Sequence, residues 1–304
     1  MRGRGSMGAW LELMRIGNSP TVVSNVLAGM AIGLHSRLSD IPVPWGTGVL
    51  LISGAVMVYV SGMVLNDAFD ARIDARERPG RPIPSGRVGA LRAQVAGVAL
   101  LGVGTALLAA SGPGAGTVWW SLLLAGCVLL YNAVHAWFPG AFAIMGACRA
   151  MVPVIAALAV SPGAEASLLW WVAGGLGAYV LALSVAARDE MRGLAHLARI
   201  TAWALPMAAC APLGMWFVEG VAPDGALATT AGVAAMAVAV TSVVGGIRLA
   251  SRGGGVPAAV GTWLGAIPAV DAATCFLLGR PLLGFLCIGM WGLSGALRPR
   301  YAAS

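Results

Sequence analysis

The chain has 304 residues, of which 59% are hydrophobic and only 10% are charged, with a mean hydropathy of +0.84. Because about a quarter of the residues of a soluble domain are charged, this composition excludes such a domain and predicts a polytopic membrane protein. The net charge of +7 does not indicate a nucleic-acid partner, because the arginines lie in short loops between apolar spans, where they set membrane orientation and contact anionic lipids.

Apolar segments of roughly membrane-spanning length recur along the chain, separated by turn signals, and they predict a single membrane domain covering 1–304. The predicted spans are 19–34, 45–65, 90–110, 117–136, 140–160, 167–187, 200–218, 226–248, 256–279 and 281–297. The predicted fold class is therefore an all-α helical bundle. Its 43 glycines would allow neighbouring helices to approach closely.

The arginines concentrate in alternate loops, as the positive-inside rule requires for a chain whose N-terminus lies in the cytoplasm. Arg298 and Arg300 favour a cytoplasmic C-terminus and ten spans. A short interfacial helix within 252–263 would instead give nine, so the prediction is a bundle of nine to ten transmembrane helices. The charged loop after the second span would then face the cytoplasm.

That loop contains the densest cluster of charges, and it places oxygen ligands in helical register. Asn66, Asp70 and Asp74 recur every four residues along one helical face, with Asp67 one turn from Asp70. Carboxylates on adjoining turns repel one another unless a cation lies among them. Because oxygen ligands without His or Cys suit Mg²⁺, these four residues are predicted metal ligands.

The segment 66–87 reads NDAFDARIDARERPGRPIPSGR and resembles the first aspartate-rich motif of the UbiA superfamily of intramembrane prenyltransferases. The resemblance implies a bundle of two related halves that ionises an isoprenyl diphosphate with Mg²⁺ at the cytoplasmic membrane face. It also implies three catalytic carboxylates and two diphosphate-binding arginines, which are Asp67, Asp70, Asp74, Arg78 and Arg81. A charged loop that only sets topology would explain the arginines but not the acids in register.

The resemblance also predicts a second aspartate-rich loop after the sixth span, where this chain has Arg188, Asp189 and Glu190. The family spaces these aspartates four apart, whereas here the two acids are adjacent and Gly193 stands four beyond Asp189. The motif is therefore degenerate. Asp189 and Glu190 are either ligands of a second Mg²⁺, with Arg188 on the diphosphate, or a solvated helix end.

Polar residues of the fourth and fifth spans extend the predicted site. Arg149 lies near the middle of the fifth span, where an arginine is costly unless it faces a polar cavity or an anion. It is therefore predicted to be catalytic and to bind the diphosphate, with a structural ion pair as the alternative. Tyr131 and Asn132 resemble diphosphate-binding positions of the family, although an interfacial Tyr is commonly a membrane anchor. Together with 188–190, these residues resemble the EboC-like branch of the superfamily.

Two more polar residues leave alternatives open. His135, at the end of the fourth span, is either a base or an ordinary interfacial histidine. Asp271, embedded in the ninth span, would either neutralise Arg149 or line a cavity.

Three functions fit this sequence. The leading hypothesis is a Mg²⁺-dependent prenyltransferase that moves the prenyl group from the diphosphate to an aromatic or other lipophilic acceptor, with Arg78, Arg81, Arg149 and Arg188 taking up diphosphate charge. An intramembrane terpene cyclase would act on the prenyl diphosphate alone. A carrier of an anionic lipid-like molecule would leave the metal motif unexplained. The predicted partners are the prenyl diphosphate, the acceptor and membrane lipids, with no nucleic acid and no protein partner.

Overall fold

The computed structural model describes residues 6–37, 43–138, 140–191, 204–205, 208–218, 220, 225–251 and 256–301. Within these ranges all regular structure is helical, which confirms the predicted fold class. The helices in chain order are α1 (Ser6–Leu13), α2 (Ser19–His35), α3 (Trp45–Phe69), α4 (Ala71–Glu77), α5 (Ala90–Ala109), α6 (Ala115–Val134), α7 (Ala141–Val160), α8 (Ala166–Leu169), α9 (Gly175–Met191), α10 (Ala211–Val218), α11 (Ala226–Ser251), α12 (Val256–Leu277) and α13 (Pro281–Tyr301). A 3₁₀ turn at Ile16–Asn18 precedes α2, and a π-helical turn at Trp170–Gly174 joins α8 to α9.

Seven helical segments in the described part of the chain are long and apolar enough to span a membrane, and α8, the π-helical turn and α9 together form one of them. The helices α2 and α13 occupy two more of the predicted spans, but their apolar stretches are shorter. For the predicted span 200–218, α10 covers the last part, and several earlier residues lie outside the described ranges. The number of nine to ten transmembrane helices therefore stays a prediction.

A parallel pair of helices, α2 and α7, forms the centre of the bundle. A Cβ atom added at Gly29 would collide with the backbone of Pro153, and one added at Gly33 would lie 2.6 Å from the carbonyl oxygen of Ala157. Glycines four residues apart thus let one face of α2 lie directly against α7, as the glycine content predicts. This close packing fixes the register of every other residue on that face.

Each helix of this central pair is followed by a helix that returns to the same end of the bundle. After α2, α3 returns and ends in the acidic motif at Phe69. After α7, α9 returns, and Ser184 contacts the Met145 sulfur in the first turns of α7 at 3.1 Å. The last turn of α9, which contains 188–190, therefore follows at the end of the bundle where the acidic motif lies.

The N-terminal helix α1 packs against the loop that follows the acidic motif. Leu13 is fully buried in an apolar cluster with Ile83 and Val88. Beside this cluster, Arg87 donates to a carboxylate oxygen of Glu12 at 3.0 Å. This packing holds the start of the chain against the motif loop.

Candidate active site at one end of the helical bundle

The four predicted metal ligands of the motif form two pairs rather than a single row. α3 ends at Phe69, and Asp70 adopts a bend with φ −81° and ψ 0° before α4 begins. Asn66 and Asp70 face His135 of the neighbouring α6–α7 connection, whereas Asp67 and Asp74 face Arg81. The sequence predicted a single row of Asn66, Asp70 and Asp74. At 100° per residue, however, Asp74 lies about 80° around the helix from Asn66 and only about 20° from Asp67, so it pairs with Asp67.

Two arginines neutralise the pair formed by Asp67 and Asp74. One guanidinium nitrogen of Arg81 lies 2.7 Å from Asp74 Oδ2 and 3.5 Å from Asp67 Oδ1. Arg15 donates to the same Asp67 oxygen at 3.1 Å from the turn between α1 and α2. Its backbone has φ 44°, the only positive φ of a non-glycine residue in the described ranges. A residue other than glycine is rarely held in this region, and here the conformation accompanies the contact to Asp67.

His135 is a member of the site that the sequence left undecided. Its Nε2 lies 3.0 Å from Asp70 Oδ2 and 3.2 Å from the amide nitrogen of Asn66. The hydrogen bond to Asp70 raises the pKa of His135 above its ordinary value, and partial burial opposes that rise. The imidazole therefore links α6 to the motif.

Tyr131 and Asn132 lie on the last turn of α6, as predicted, but they present different groups. The ring of Tyr131 stacks on His135 with centroids 5.2 Å apart. Asn132 is buried, and its amide nitrogen donates to the carbonyl of Val128 at 2.8 Å. Its side-chain oxygen has no hydrogen-bond partner among the described residues. Asn132 thus offers an acceptor, whereas a diphosphate requires donors.

Of the remaining predicted site residues, the structure describes the side chain of Arg78 but not those of 188–190. Arg78 follows α4 and is exposed, so it does not join the buried acid pair. The side chains of Arg188, Asp189 and Glu190 lie outside what the structure describes, although their backbone forms part of α9.

Arg149 lies inside the bundle, roughly 12 Å from the start of α7 at 1.5 Å per residue. It donates to Asn25 Oδ1 at 2.9 Å and to Thr21 Oγ1 at 3.0 Å, and its guanidinium lies 5.4 Å from the centre of the Tyr59 ring. It forms no direct ion pair with any described residue. Among the described residues, Arg149 therefore does not form the direct structural ion pair that was the alternative prediction.

Asp271 of α12 is separated from Arg149 by the side chain of Asn25. It is buried, and its Oδ2 accepts from Ser24 Oγ at 2.6 Å and from the amide nitrogen of Asn25 at 2.8 Å. Sequence reasoning missed the residues of α2 that connect the two charges. A signal was present, because Thr21, Ser24 and Asn25 are polar residues at helical spacing in an apolar segment.

A cavity of about 760 Å³ lies between the helices and connects these two polar regions. Its polar lining at one end comes from the motif side and α6, and its body is lined by apolar residues of α2, α3, α6, α7, α9 and α12. Arg15 both lines the cavity and contacts Asp67, so the acid pair lies directly beside its polar end. Arg149 lines it deeper in the membrane, together with Val58, Leu124, Val128, Met145, Leu183 and Leu264.

The donor chemistry of the motif fits Mg²⁺, which commonly takes one or two carboxylates and completes its shell with water and phosphate oxygens. Asp67 and Asp74 form one suitable pair, since both contact the same nitrogen of Arg81. Asp70, with the amide of Asn66 beside it, forms the other. The described residues contain no group of three or more His, Cys, Asp or Glu side chains arranged to hold a metal.

The structure is a helical membrane bundle with an apolar cavity, and carboxylates and arginines lie at one end of that cavity. Such an arrangement defines a class of intramembrane protein suited to amphiphiles with an anionic head. A family comparison gives the same class a name. The model of the UbiA prenyltransferase family matches residues 22–254, and the chain belongs to this family.

Curated relatives match over shorter segments. Digeranylgeranylglyceryl phosphate synthase of Ignicoccus hospitalis is 39% identical over 113 residues, which are 37% of this chain and 35% of the relative. The synthase of the same name from Methanosarcina barkeri is 28% identical over 158 residues, or 47% of this chain and 55% of the relative. The matched segments thus span from about a third to about half of these relatives.

Solved structures match over most of the chain. A structure described for digeranylgeranylglyceryl phosphate synthase in membranes has a TM-score of 0.60 and 17% identity, covering 91% of this chain and 99% of that one. A UbiA homologue from Aeropyrum pernix has a TM-score of 0.64 and 17% identity, covering 83% and 96%. At this identity the likeness shows the fold, which confirms the UbiA-like bundle. The EboC-like branch stays a prediction.

Proposed function

We propose that the protein is a Mg²⁺-dependent prenyltransferase, which ionises an isoprenyl diphosphate at the cytoplasmic membrane face and transfers the prenyl group to a lipophilic acceptor. The observation that carries this proposal is the cavity of about 760 Å³, whose apolar body adjoins a polar end beside Asp67. A prenyl diphosphate has an apolar chain and an anionic head, so its two parts match the two parts of this space.

The residues of the chain perform separable tasks in this proposal. Asp70 and Asp74, supported by Asn66 and Asp67, hold Mg²⁺, which when bound supplies positive charge to the diphosphate as its C–O bond breaks. Arg81 and Arg15 balance the acids when the site lacks ligand and then turn their donors toward the diphosphate oxygens.

Further cationic groups complete this anion site. Arg149 supplies donors from the cavity wall, and the exposed Arg78 reaches the anion from outside. Arg188 is proposed to contact the diphosphate, and Asp189 and Glu190 to hold a second Mg²⁺.

Transfer is favoured over the two alternatives by the relatives. Those that match the chain are named as synthases whose product is a glyceryl phosphate carrying geranylgeranyl groups. Such a name implies prenyl transfer, whereas it gives no support to cyclisation or carriage. The class of acceptor in this chain, aromatic or lipid, is left open by the same comparison.

The test uses the full-length protein in lipid nanodiscs with Mg²⁺ and geranylgeranyl diphosphate. Transfer predicts diphosphate release that requires an added acceptor extract, together with a prenylated lipid product identified by mass spectrometry. Release without acceptor, with a cyclic hydrocarbon product, would instead identify a cyclase. Binding without any release would identify a carrier.

The orientation of the site is part of the same proposal. The arginines of the motif loop lie at the end of the bundle that contains the site, which the positive-inside rule places in the cytoplasm. A reporter fused after 304 should then report cytoplasm if ten spans cross the membrane, and a periplasmic signal would support nine.

A further inference from the structure

The charge of Arg149 is balanced through an intermediate side chain. The amide oxygen of Asn25 accepts from Arg149 at 2.9 Å, and the amide nitrogen of the same residue donates to Asp271 at 2.8 Å. The amide therefore lies between a cation and an acid that do not touch. Its orientation is determined by both neighbours, since a guanidinium can only donate and a carboxylate can only accept.

Close helix packing determines where this bridge lies. Thr21, Asn25, Gly29 and Gly33 are each four residues apart and share one face of α2. The two glycines contact α7 directly at the backbone. The same face therefore brings Thr21 and Asn25 against Arg149. Arg149 lies one turn before Pro153, the residue of α7 that Gly29 contacts.

On its other side, the bridge continues to α12. Ser24, one residue before Asn25, donates to the same oxygen of Asp271 at 2.6 Å. Two side-chain donors of α2 thus converge on one carboxylate oxygen of Asp271. α2 thus connects the arginine of α7 with the acid of α12.

An indirect arrangement has a different consequence from a direct ion pair. A carboxylate placed on Arg149 would occupy the planar fork that recognises phosphate, and a ligand would have to displace it. A cation without any balancing acid would be strongly unfavourable at this depth. One intervening amide meets both requirements, because Asp271 stays within one side chain of Arg149, close enough for Coulomb attraction, while the remaining donors of Arg149 stay available.

We propose that Asn25 and Asp271 are positioning residues for Arg149, which balance its charge through the amide and keep its guanidinium available to an anionic group in the cavity. This inference rests on the proposed function in taking that anion to be the diphosphate of the substrate.

The decisive experiment moves the acid by one position. Asn25→Asp places a carboxylate directly on Arg149, and Asp271→Asn removes the distant one. The double variant Asn25→Asp/Asp271→Asn keeps the net charge and exchanges acid and amide. Thr274→Val is a matched control, because Thr274 is buried one turn from Asp271 on α12 and its hydroxyl bonds only to its own helix in the described part of the chain.

Each purified variant is measured in nanodiscs for melting temperature and for binding of inorganic diphosphate with Mg²⁺. We expect Asp271→Asn to melt about 5 °C below the Thr274→Val control, because it leaves a buried cation unbalanced. The double variant should regain the wild-type melting temperature. It should still bind diphosphate about 10-fold more weakly, because Arg149 then donates to a carboxylate, with which the diphosphate must compete.

Two outcomes would overturn the inference. Equal melting temperatures for Asp271→Asn and Thr274→Val would show that Asp271 does not balance Arg149. Wild-type diphosphate binding by the double variant would show that the fork need not be free. Arg149→Gln separates this from the proposed function: if it binds diphosphate weakly while the double variant binds normally, only the positioning role fails. If Arg149→Gln itself binds normally, the contact between Arg149 and the diphosphate fails as well.

Discussion

The two groups of arginines near the cavity are held in opposite ways. At the end of the bundle, Arg81 and Arg15 contact carboxylates directly, at 2.7 Å and 3.1 Å. Inside the membrane, Arg149 contacts the neutral oxygens of Asn25 and Thr21. The first group has acids to neutralise and must exchange partners when a ligand or cation arrives. Arg149 keeps the same protein partners and has donors left for a ligand.

The partners of a buried arginine therefore indicate its task. Direct ion pairs at the end of the bundle can be exchanged, because an arriving anion and cation compete for the two members. A cation within the bilayer has no such competitors and must be balanced permanently.

The largest effect is expected from the acids themselves. Asp70→Ala or Asp74→Ala should reduce diphosphate release by at least about 10³-fold, because the metal loses a charged ligand. Release is measured with Mg²⁺ present, and circular dichroism checks the fold. Glu165→Gln is the control, since Glu165 is an exposed acid at the opposite end of the bundle. Undiminished release in both alanine variants would remove this motif from the mechanism.

A smaller loss is expected at the buried arginine. Arg149→Lys keeps the charge but loses the planar fork, so turnover should fall by about 10²-fold. The loss should appear in kcat as well as in KM, because the fork takes up charge that develops as the C–O bond breaks. A variant with near-normal kinetics would mean that only charge is needed at this position.

The degenerate second motif should show an intermediate loss. If Asp189 and Glu190 hold a second Mg²⁺, Asp189→Asn/Glu190→Gln should slow turnover by about 10- to 100-fold and raise the Mg²⁺ concentration needed for half-maximal rate. The metal titration is the diagnostic measurement. An unchanged Mg²⁺ dependence would identify these acids as a solvated helix end, because exposed charges contribute little.

The smallest effect is expected at the exchangeable surface arginine. Arg15→Gln should lower turnover by less than about 10-fold, because Arg81 still neutralises Asp67. The matched control is Arg87→Gln, which breaks the ion pair with Glu12 and should leave turnover unchanged while lowering stability by less than about 1 kcal/mol. A loss at Arg15 as large as that of Arg149→Lys would remove the distinction between the two groups.

Most of the fold could be predicted from the sequence, because bilayer thickness sets helix length and the turns between spans contain Gly and Pro. The starts of α3, α5 and α12 agree with the predicted spans. The end of α3 does not, because hydropathy placed it at 65 and the helix continues to Phe69. Polar residues can extend a membrane helix where they face protein rather than lipid.

The site could be predicted only in part. Asp67, Asp70 and Asp74 form a local motif, and their spacing identified them. The partners of Arg149 are 124 and 128 residues away in sequence, and that of Asp70 is 65 away. No periodicity connects such distant positions. The small residues that bring α2 against α7 determine the contacts of Arg149, and their effect becomes visible only in three dimensions.

The most direct test of the central claim is to locate the prenyl chain on the protein. A geranylgeranyl diphosphate analogue with a photoreactive group on its chain is crosslinked in nanodiscs, and the labelled peptides are identified by mass spectrometry. We expect labels on cavity-lining residues such as Val58, Val128 and Leu183, and unlabelled geranylgeranyl diphosphate should compete for them. Labels confined to outward-facing residues such as Val103 and Leu122, without competition, would contradict the assignment of this cavity to the prenyl diphosphate.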